Sequence, residues 1–126
     1  MTAIALRVLA CEFTIHRLPP DAPLPPVVVD ALFCWIGRTD DELSIVCDAD
    51  LHLTHGRHSV GWACLQVVGP LDFGLTGILA GIADVLAAAH ISIFALSTFD
   101  TDYILVKQDR LDEAVAALRA ADYDVG

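Results

Sequence analysis

The stretch from Gly69 to Val106 decides the fold of this chain, and it reads GPLDFGLTGILAGIADVLAAAHISIFALSTFDTDYILV. Apolar residues recur in it at helical spacing over about four turns, which predicts one amphipathic helix. These residues are Leu75, Ile78, Leu79, Ile82, Val85, Leu86 and Ala89. After the helix, two apolar strands flank a polar turn that runs from Ser97 to Tyr103.

The entry to this helix is the first candidate site. Asp72 precedes the apolar stripe and can accept hydrogen bonds from the first free amides, as an N-cap residue does. A strand that ends in Gly-Pro and leads directly into a helix aims several backbone N–H groups into one space. This arrangement favours an anion such as the carboxylate of a small ligand.

Size and charge limit the classes of function. The chain has 126 residues, enough for one domain or for two very small fused halves. Its 56% hydrophobic content predicts elements covered on both faces, or apolar surface buried between subunits. The net charge of −10 repels nucleic acid and anionic membrane surfaces, so we expect neither as a partner.

The cysteines and the apolar runs bear on location. The four cysteines, at positions 11, 34, 47 and 64, lack close pairing such as C-x-x-C and lie in apolar surroundings. Reduced thiols in a cytoplasmic protein are therefore expected. The longest apolar runs fall short of the ~18 residues that a membrane-spanning helix needs. We recognise no signal peptide in the sequence.

The rest of the chain reads as short strands, one connector and one further helix. Alternating and apolar runs predict strands at 4–10, 12–18, 33–38, 43–47, 62–68, 91–97 and 102–107. A proline-rich connector, 19–26, precedes a short helical turn at 27–32, and a polar loop spans 48–59. Asp109 is expected to cap the second helix. From Trp62 onward the order β-α-β-β-α with a short final strand is that of the α+β, ferredoxin-like folds.

Two blocks of the chain, 69–79 and 93–106, resemble the ACT-domain proteins of the arginine-sensor (CASTOR) type. The similarity covers Trp62 to about Ala121. The resemblance implies a ferredoxin-like βαββαβ ACT domain at 62–126. The half at 1–61 resembles the degenerate, strand-rich ACT-like half that precedes it in bacterial members. ACT domains bind small ligands, usually amino acids, where two such units meet, so the resemblance implies a sensing or regulatory role.

An amino-acid ligand needs donors for its carboxylate and acceptors for its ammonium group. Amides near the helix entry can supply the donors, helped by the helix dipole. Carbonyls of the 97–101 turn, or Asp72 and Asp100, can supply the acceptors, and Asp102 could meet a cationic side chain. The predicted ligand-binding residues are Asp72, Phe73, Gly74, Leu75, Thr76, Ser97, Thr98, Phe99, Asp100 and Asp102.

Several of these residues have purely structural alternatives. Asp72 can serve only as a helix cap, and Asp100 only as a turn residue. Phe73 and Phe99 can cover ligand atoms or belong to the core. These alternatives stay open at the level of sequence.

Assembly is a further expectation. A short final strand and an apolar excess would leave sheet edge and hydrophobic surface uncovered, which a symmetric homodimer would cover. Gly74, Gly77 and Gly81 fall on one side of the predicted helix, where they admit a ligand or partner backbone, or face open solvent. Gly77, Gly81 and the 91–96 strand are the predicted dimer contacts.

Catalysis and metal binding find little support in the sequence. His52, His55 and His58 fit no closed structural zinc motif, so we expect a solvated loop and no metal. Nucleophile elbows, phosphate-binding glycine loops and metalloprotease motifs are not evident. We therefore predict no catalytic residues, no cofactor and a non-enzymatic amino-acid-binding protein. The alternatives are a ligand-free interaction protein that works by dimerisation or partner binding, and a small enzyme on the same scaffold.

Overall fold

The computed structural model describes residues 4–69, 71 and 75–126 of the chain. In chain order the strands are β1 Ala5–Val8, β2 Phe13–Leu18, β3 Cys34–Arg38, β4 Leu43–Asp48, β5 Arg57–Val67, β6 Ile93–Ser97, β7 Asp102–Lys107 and β8 Asp124–Val125. The helices are α1 Pro26–Val29, α2 Ile78–Ala88 and α3 Leu111–Ala120, and a 3-10 turn, Gln108–Arg110, precedes α3. This order confirms the predicted α+β class.

Packing divides the chain into two units. The C-terminal unit contains the residues up to Ala10 together with Trp62–Gly126, and the N-terminal unit is Cys11–Gly61. The domain boundary that we predict after residue 61 stays a proposal. It shares one junction with these units, but β1 packs within the C-terminal one. Strand β5 begins in the N-terminal unit and ends in the C-terminal unit.

The sheet of the C-terminal unit has a ferredoxin-like order with one added strand. β5 pairs antiparallel with β7, and β7 with β6. On its other side β5 pairs antiparallel with β1, which in turn pairs parallel with β8. The final strand therefore joins the sheet through β1. The predicted βαββαβ sequence of elements from β5 to β8 is confirmed.

Strand alternation sends one face of this sheet to the two helices. Alternate β5 residues, Ala63, Leu65 and Val67, pack with their β7 neighbours against α2 and α3. The helices contribute Ile82, Leu86, Ala114 and Leu118 to the same buried cluster. The apolar stripe read from the sequence is therefore the core face of α2 at Ile82 and Leu86.

Both helix starts differ from the predictions. Helix α2 begins at Ile78 after Gly77, whose φ of 79° is a left-handed conformation that favours glycine. Gly77 is therefore the N-cap residue, and Asp72, the predicted cap, lies outside the described residues. The predicted Asp109 cap is wrong, because α3 begins at Leu111 after the 3-10 turn. An ion pair with a nitrogen–oxygen distance of 3.0 Å joins Arg110 to Glu113 there.

The N-terminal unit has a smaller hydrophobic core than the C-terminal unit, and fewer helical residues cover its sheet. β4 pairs antiparallel with both β2 and β3, and β2 neighbours β5. Leu18, Leu43, Ile45 and Cys47 pack with Val28 of α1. The predicted polar loop to residue 59 is wrong at its end, since β5 begins at Arg57. Polar side chains at 57–59 concealed this strand start, because half-exposed strand ends carry little apolar signal.

The four cysteines are free thiols. Burial, with smaller effects from Cys34 and Asp48, raises the pKa of Cys47 to about 11. Such a thiol carries almost no thiolate near neutral pH and is chemically inert. Among the described residues, no helix is long and apolar enough to span a membrane.

Candidate functional site

A cleft of about 390 Å³ in the C-terminal unit brings the two candidate segments together. One wall is the start of α2, and another is the turn between β6 and β7. Its described lining is Leu71, Leu75, Gly77, Ile78, Leu79, Ala80, Ser97, Thr98, Phe99, Asp100, Thr101 and Asp102. This volume lies within the usual range of small-molecule sites.

The helix wall presents backbone donors. Gly81 N–H donates to the Gly77 carbonyl at 2.9 Å, which is the first hydrogen bond of the helix. The amides of Ile78, Leu79 and Ala80 precede that bond, so they have no acceptor within the helix. Among the described residues, no side chain caps this start, and the first turn carries no acidic residue. The positive end of the helix dipole is therefore available to an anion.

The turn wall is fixed by its own hydrogen bonds. Thr98 N–H donates to the Thr101 carbonyl at 2.8 Å. The Thr101 hydroxyl donates to the Val67 carbonyl at 2.6 Å, and Thr101 is only 5% exposed. The turn is thereby anchored to β5. The sequence analysis included Thr101 only through the carbonyls of the 97–101 turn and did not predict the anchoring role of its hydroxyl.

A further hydrogen bond ties the segment before α2 to this turn. Leu71 N–H donates to the Asp100 carbonyl at 2.7 Å. A side chain on Gly69 would lie 3.1 Å from the same carbonyl, so glycine permits this close approach. The Asp100 carbonyl, a predicted ammonium acceptor, already accepts one bond here, and a carbonyl oxygen has a second lone pair.

Asp102 and Ser97 form the polar pair of the cleft. They lie opposite each other on β7 and β6, and the Ser97 hydroxyl donates to Asp102 Oδ1 at 2.6 Å. The bond orients the carboxylate and leaves its other oxygen to accept a hydrogen bond. An oriented carboxylate in the cleft wall suits an ammonium or guanidinium group.

The other predicted site residues have separate outcomes. Leu75, Thr98, Phe99 and Asp100 join Ser97 and Asp102 in the lining. Thr76 is exposed and is not among the described lining residues. Asp72, Phe73 and Gly74 lie outside the described residues. Phe99 is 80% exposed, so the alternative that assigned it to the core is wrong.

The glycines near α2 have separate outcomes. Gly77 directly precedes Ile78, the first residue of the helix, and Gly74 lies outside the described residues. The dimer contacts predicted at Gly77 and Gly81 stay a prediction. A side chain on Gly81 would lie 2.8 Å from Tyr123 Oη. The close approach that Gly81 permits is therefore an internal contact with Tyr123, which sequence reasoning did not anticipate.

The histidines do not share one loop. His52 and His55 precede β5, whereas His58 lies within β5 with its ring 6.1 Å from that of His16. The described residues contain no group of three or more histidine, cysteine or acidic side chains that could hold a metal ion.

Comparison with known families and proteins adds independent findings. A family model of the ACT domain matches residues 58–120, and a model of an N-terminal domain matches residues 12–51. The chain is 34% identical to the cytosolic arginine sensor for mTORC1 subunit 1 of Pongo abelii and 33% identical to that of Homo sapiens. Each match covers 94% of this chain but only 39% of the relative's length.

Solved structures share the fold. A crystal structure of a protein from Agobacterium tumefaciens has a TM-score of 0.91 at 35% identity, and the match covers 100% of this chain and 94% of that one. Aspartate kinase from Synechocystis has a TM-score of 0.72 at 18% identity, with 98% of this chain and 28% of that one covered. At that identity the kinase likeness concerns the fold alone.

Proposed function

This chain belongs to the ACT-domain family, and we propose that it is a non-enzymatic, cytoplasmic sensing or regulatory protein that binds an amino acid in the cleft. The observation that carries the proposal is the opposition of two polar walls. The first residues of α2, whose amides have no acceptor within the helix, line the same 390 Å³ cleft as Asp102. An α-amino acid presents one anionic and one cationic group, and these walls match both.

The lining further favours a cationic side chain. Asp100 and Asp102 are acidic, and no basic residue is among the described lining residues. The relatives from Pongo abelii and Homo sapiens are named as arginine sensors. Arginine is therefore our proposed ligand. Asp102 accepts from its guanidinium group, carbonyls of the 97–101 turn accept from its ammonium group, and the α2 amides bind its carboxylate.

A thermal-shift screen of the standard amino acids tests this proposal. A ligand that binds only the folded chain raises the melting temperature by mass action. We expect arginine to raise it in a saturable way, with lysine weaker and aspartate without effect. If every amino acid leaves the melting temperature unchanged, the cleft is not an amino-acid site.

The site gives little support to an enzyme. The Ser97 hydroxyl donates to a carboxylate, and no histidine is among the described lining residues, so no activated nucleophile is evident. The sensing proposal needs no reaction step.

A second candidate function is a ligand-free interaction protein that assembles as a homodimer. Strand β6 carries this candidate, because among the described strands it pairs with β7 alone and leaves one edge open. An open edge presents unpaired N–H and C=O groups to another chain. Light scattering should report about twice the 13.5 kDa chain mass. A melting temperature that rises with protein concentration and does not change when amino acids are added would favour this candidate over the sensor.

A further inference from the structure

The N-terminal unit contains a second cavity, which shares no lining residue with the cleft. Its volume is about 1000 Å³. Its walls come from the connector between β2 and α1 and from the loop that precedes β5. The lining is mostly apolar, with Leu18, Leu24, Val27 and Leu53 beside four prolines. A volume of this order accommodates a molecule larger than an amino acid.

The connector wall is held in one conformation. Prolines fix their own φ angles, so the connector has little freedom to lose on binding. The Arg38 guanidinium donates to the Pro20 carbonyl and, at 2.9 Å, to the Ala22 carbonyl. Ala22 N–H donates to the Pro19 carbonyl at 3.1 Å. These bonds fix the backbone of the connector at Pro19, Pro20 and Ala22.

The loop wall is fixed at its end by Gly56. This glycine has a φ of 88°, and a side chain on it would overlap the Arg17 carbonyl of β2. Only glycine fits that backbone in such close contact. The loop is therefore pinned against β2 at the point where β5 begins.

The polar groups of this cavity are basic or neutral. His52, His55 and Thr54 line it, and no carboxylate is among its described lining residues. A histidine ring carries an N–H group, which can donate a hydrogen bond to an anionic oxygen. In a chain of net charge −10, a lining with imidazoles and no carboxylate is locally favourable to an anion.

The rim of the cavity exposes apolar surface. Leu24 is 38% exposed and Val27 is 40% exposed, although both side chains line the cavity. An apolar molecule seated there would remove this surface from water. We propose that the cavity is a second ligand site, for a small molecule with an apolar ring or chain and one anionic end group. The apolar part packs on the prolines and leucines, and the anion meets His52 and His55.

Two probes and matched variants test this site. Anilinonaphthalene sulfonate has the proposed chemistry, and N-phenylnaphthylamine has a similar apolar ring system without the charge. Titrations of the full chain are followed by probe fluorescence. We expect one saturable site and tighter binding of the sulfonate. Saturating arginine should leave the sulfonate affinity unchanged, which keeps this test independent of the cleft.

The variants place the probe. Thr54→Trp fills the cavity and should weaken sulfonate binding by about tenfold or more. Asp40→Trp, on the exposed turn before β4, should change the affinity by less than about twofold. The double variant His52→Ala/His55→Ala should bind both probes equally. Equal binding by the Thr54 and Asp40 variants, or no saturable binding by the parent, would overturn the proposal.

Imidazole NMR signals of the parent give a test that requires no variant to fold. The proposed site requires the His52 and His55 signals to shift during the sulfonate titration. Shifts confined to other histidines, or equal affinity of the parent for the two probes, would overturn it.

Discussion

The two units of the chain order their strands alike but cover them differently. The C-terminal unit runs β6-β7-β5 and then, through β1, to β8, whereas the N-terminal unit runs β3-β4-β2-β5. When β1 is left out and the other strands of each unit are numbered along the chain, both units follow the order second, third, first, fourth. The C-terminal sheet is covered by helices of 11 and 10 residues. The N-terminal unit has one helix of 4 residues, and a loop replaces its second helix.

That difference determines which chemical groups line the cleft of the C-terminal unit and the cavity of the N-terminal unit. The first turn of a full helix has amides without an acceptor in the helix, and the helix dipole is positive there. The cleft beside the start of α2 is polar for that reason. A proline-rich connector has few amides to offer, and the cavity beneath it is apolar. Replacing a helix by such a connector changes the class of ligand that a similar sheet can bind.

The largest expected effect contrasts the packing of the two units. Leu86→Ala empties a fully buried position of α2 and should cost near the upper end of about 2–5 kcal/mol of unfolding free energy. Leu18→Ala should cost near the lower end, since Leu18 already borders a cavity and lacks partners on that side. Urea unfolding measures both, and equal costs would mean that the cavity is filled in solution.

The start of α2 is the next test. Gly77→Val forces a β-branched residue into a left-handed backbone and should cost about 1–3 kcal/mol of stability. The matched control is Gly37→Val on β3, where φ is not positive and open space surrounds the added side chain. This control should be neutral or slightly stabilising in the same urea experiment. If Gly77→Val is as stable as the control, the backbone at Gly77 is not left-handed.

The polarity of the cleft is tested at Asp102. Asp102→Asn should weaken arginine binding by about 1–3 kcal/mol while leaving a neutral amino acid nearly unaffected. Asp40→Asn removes the same charge from an exposed turn and should change neither affinity. Calorimetric titration of each variant measures the two affinities. Equal losses for both ligands would make Asp102 a structural residue only.

The internal contact of Gly81 predicts a smaller effect. Alanine at this position gains up to about 1 kcal/mol of helix propensity but must displace the Tyr123 hydroxyl. We expect Gly81→Ala to be stabilising in a Tyr123→Phe background and less so in the parent. Thermal denaturation of the parent, the two single variants and the double variant measures this coupling. If the stability changes of the single variants add up to that of the double variant, Gly81 and Tyr123 do not interact.

A buried histidine predicts the weakest effect, in the N-terminal unit. Burial, with a smaller effect from His58, lowers the pKa of His16, and its Nε2 has no hydrogen-bond partner among the described residues. The unfolded chain therefore binds the proton more readily, so stability should fall as the pH drops below about 6.5. His16→Leu should flatten this part of the stability profile measured by denaturant unfolding. An unchanged slope would show that His16 does not titrate on unfolding.

Much of the fold was predictable because burial leaves a periodic trace. The spacing of Ile82 and Leu86 and the alternation in β5 and β7 follow directly from the faces that they bury. The start of α2 was not predictable, because the sequence does not distinguish a glycine with a left-handed backbone, such as Gly77, from a glycine within a helix. The same holds for Gly81, whose neighbour Tyr123 is distant in sequence.

The candidate site was predictable in its segments but not in its bonds. Ser97 and Asp102 stood out as polar residues at strand ends, and the structure pairs them across β6 and β7. Thr101 did not stand out, because its role depends on the Val67 carbonyl of another strand. Local patterns report which residues are polar, and only the sheet register reports which of them meet.

The pairing of β1 with β8 has a consequence for the order of folding during synthesis. Asp124 N–H donates to the Ile4 carbonyl at 3.0 Å. This hydrogen bond of the first described residue can form only after about 120 further residues have been made. The N-terminal unit spans 11–61 and can close its sheet while the ribosome is still making α2. β1 emerges before that unit and remains an unpaired strand until β5 follows it. Until β5 is made, β1 can therefore bind a chaperone that recognises extended apolar segments.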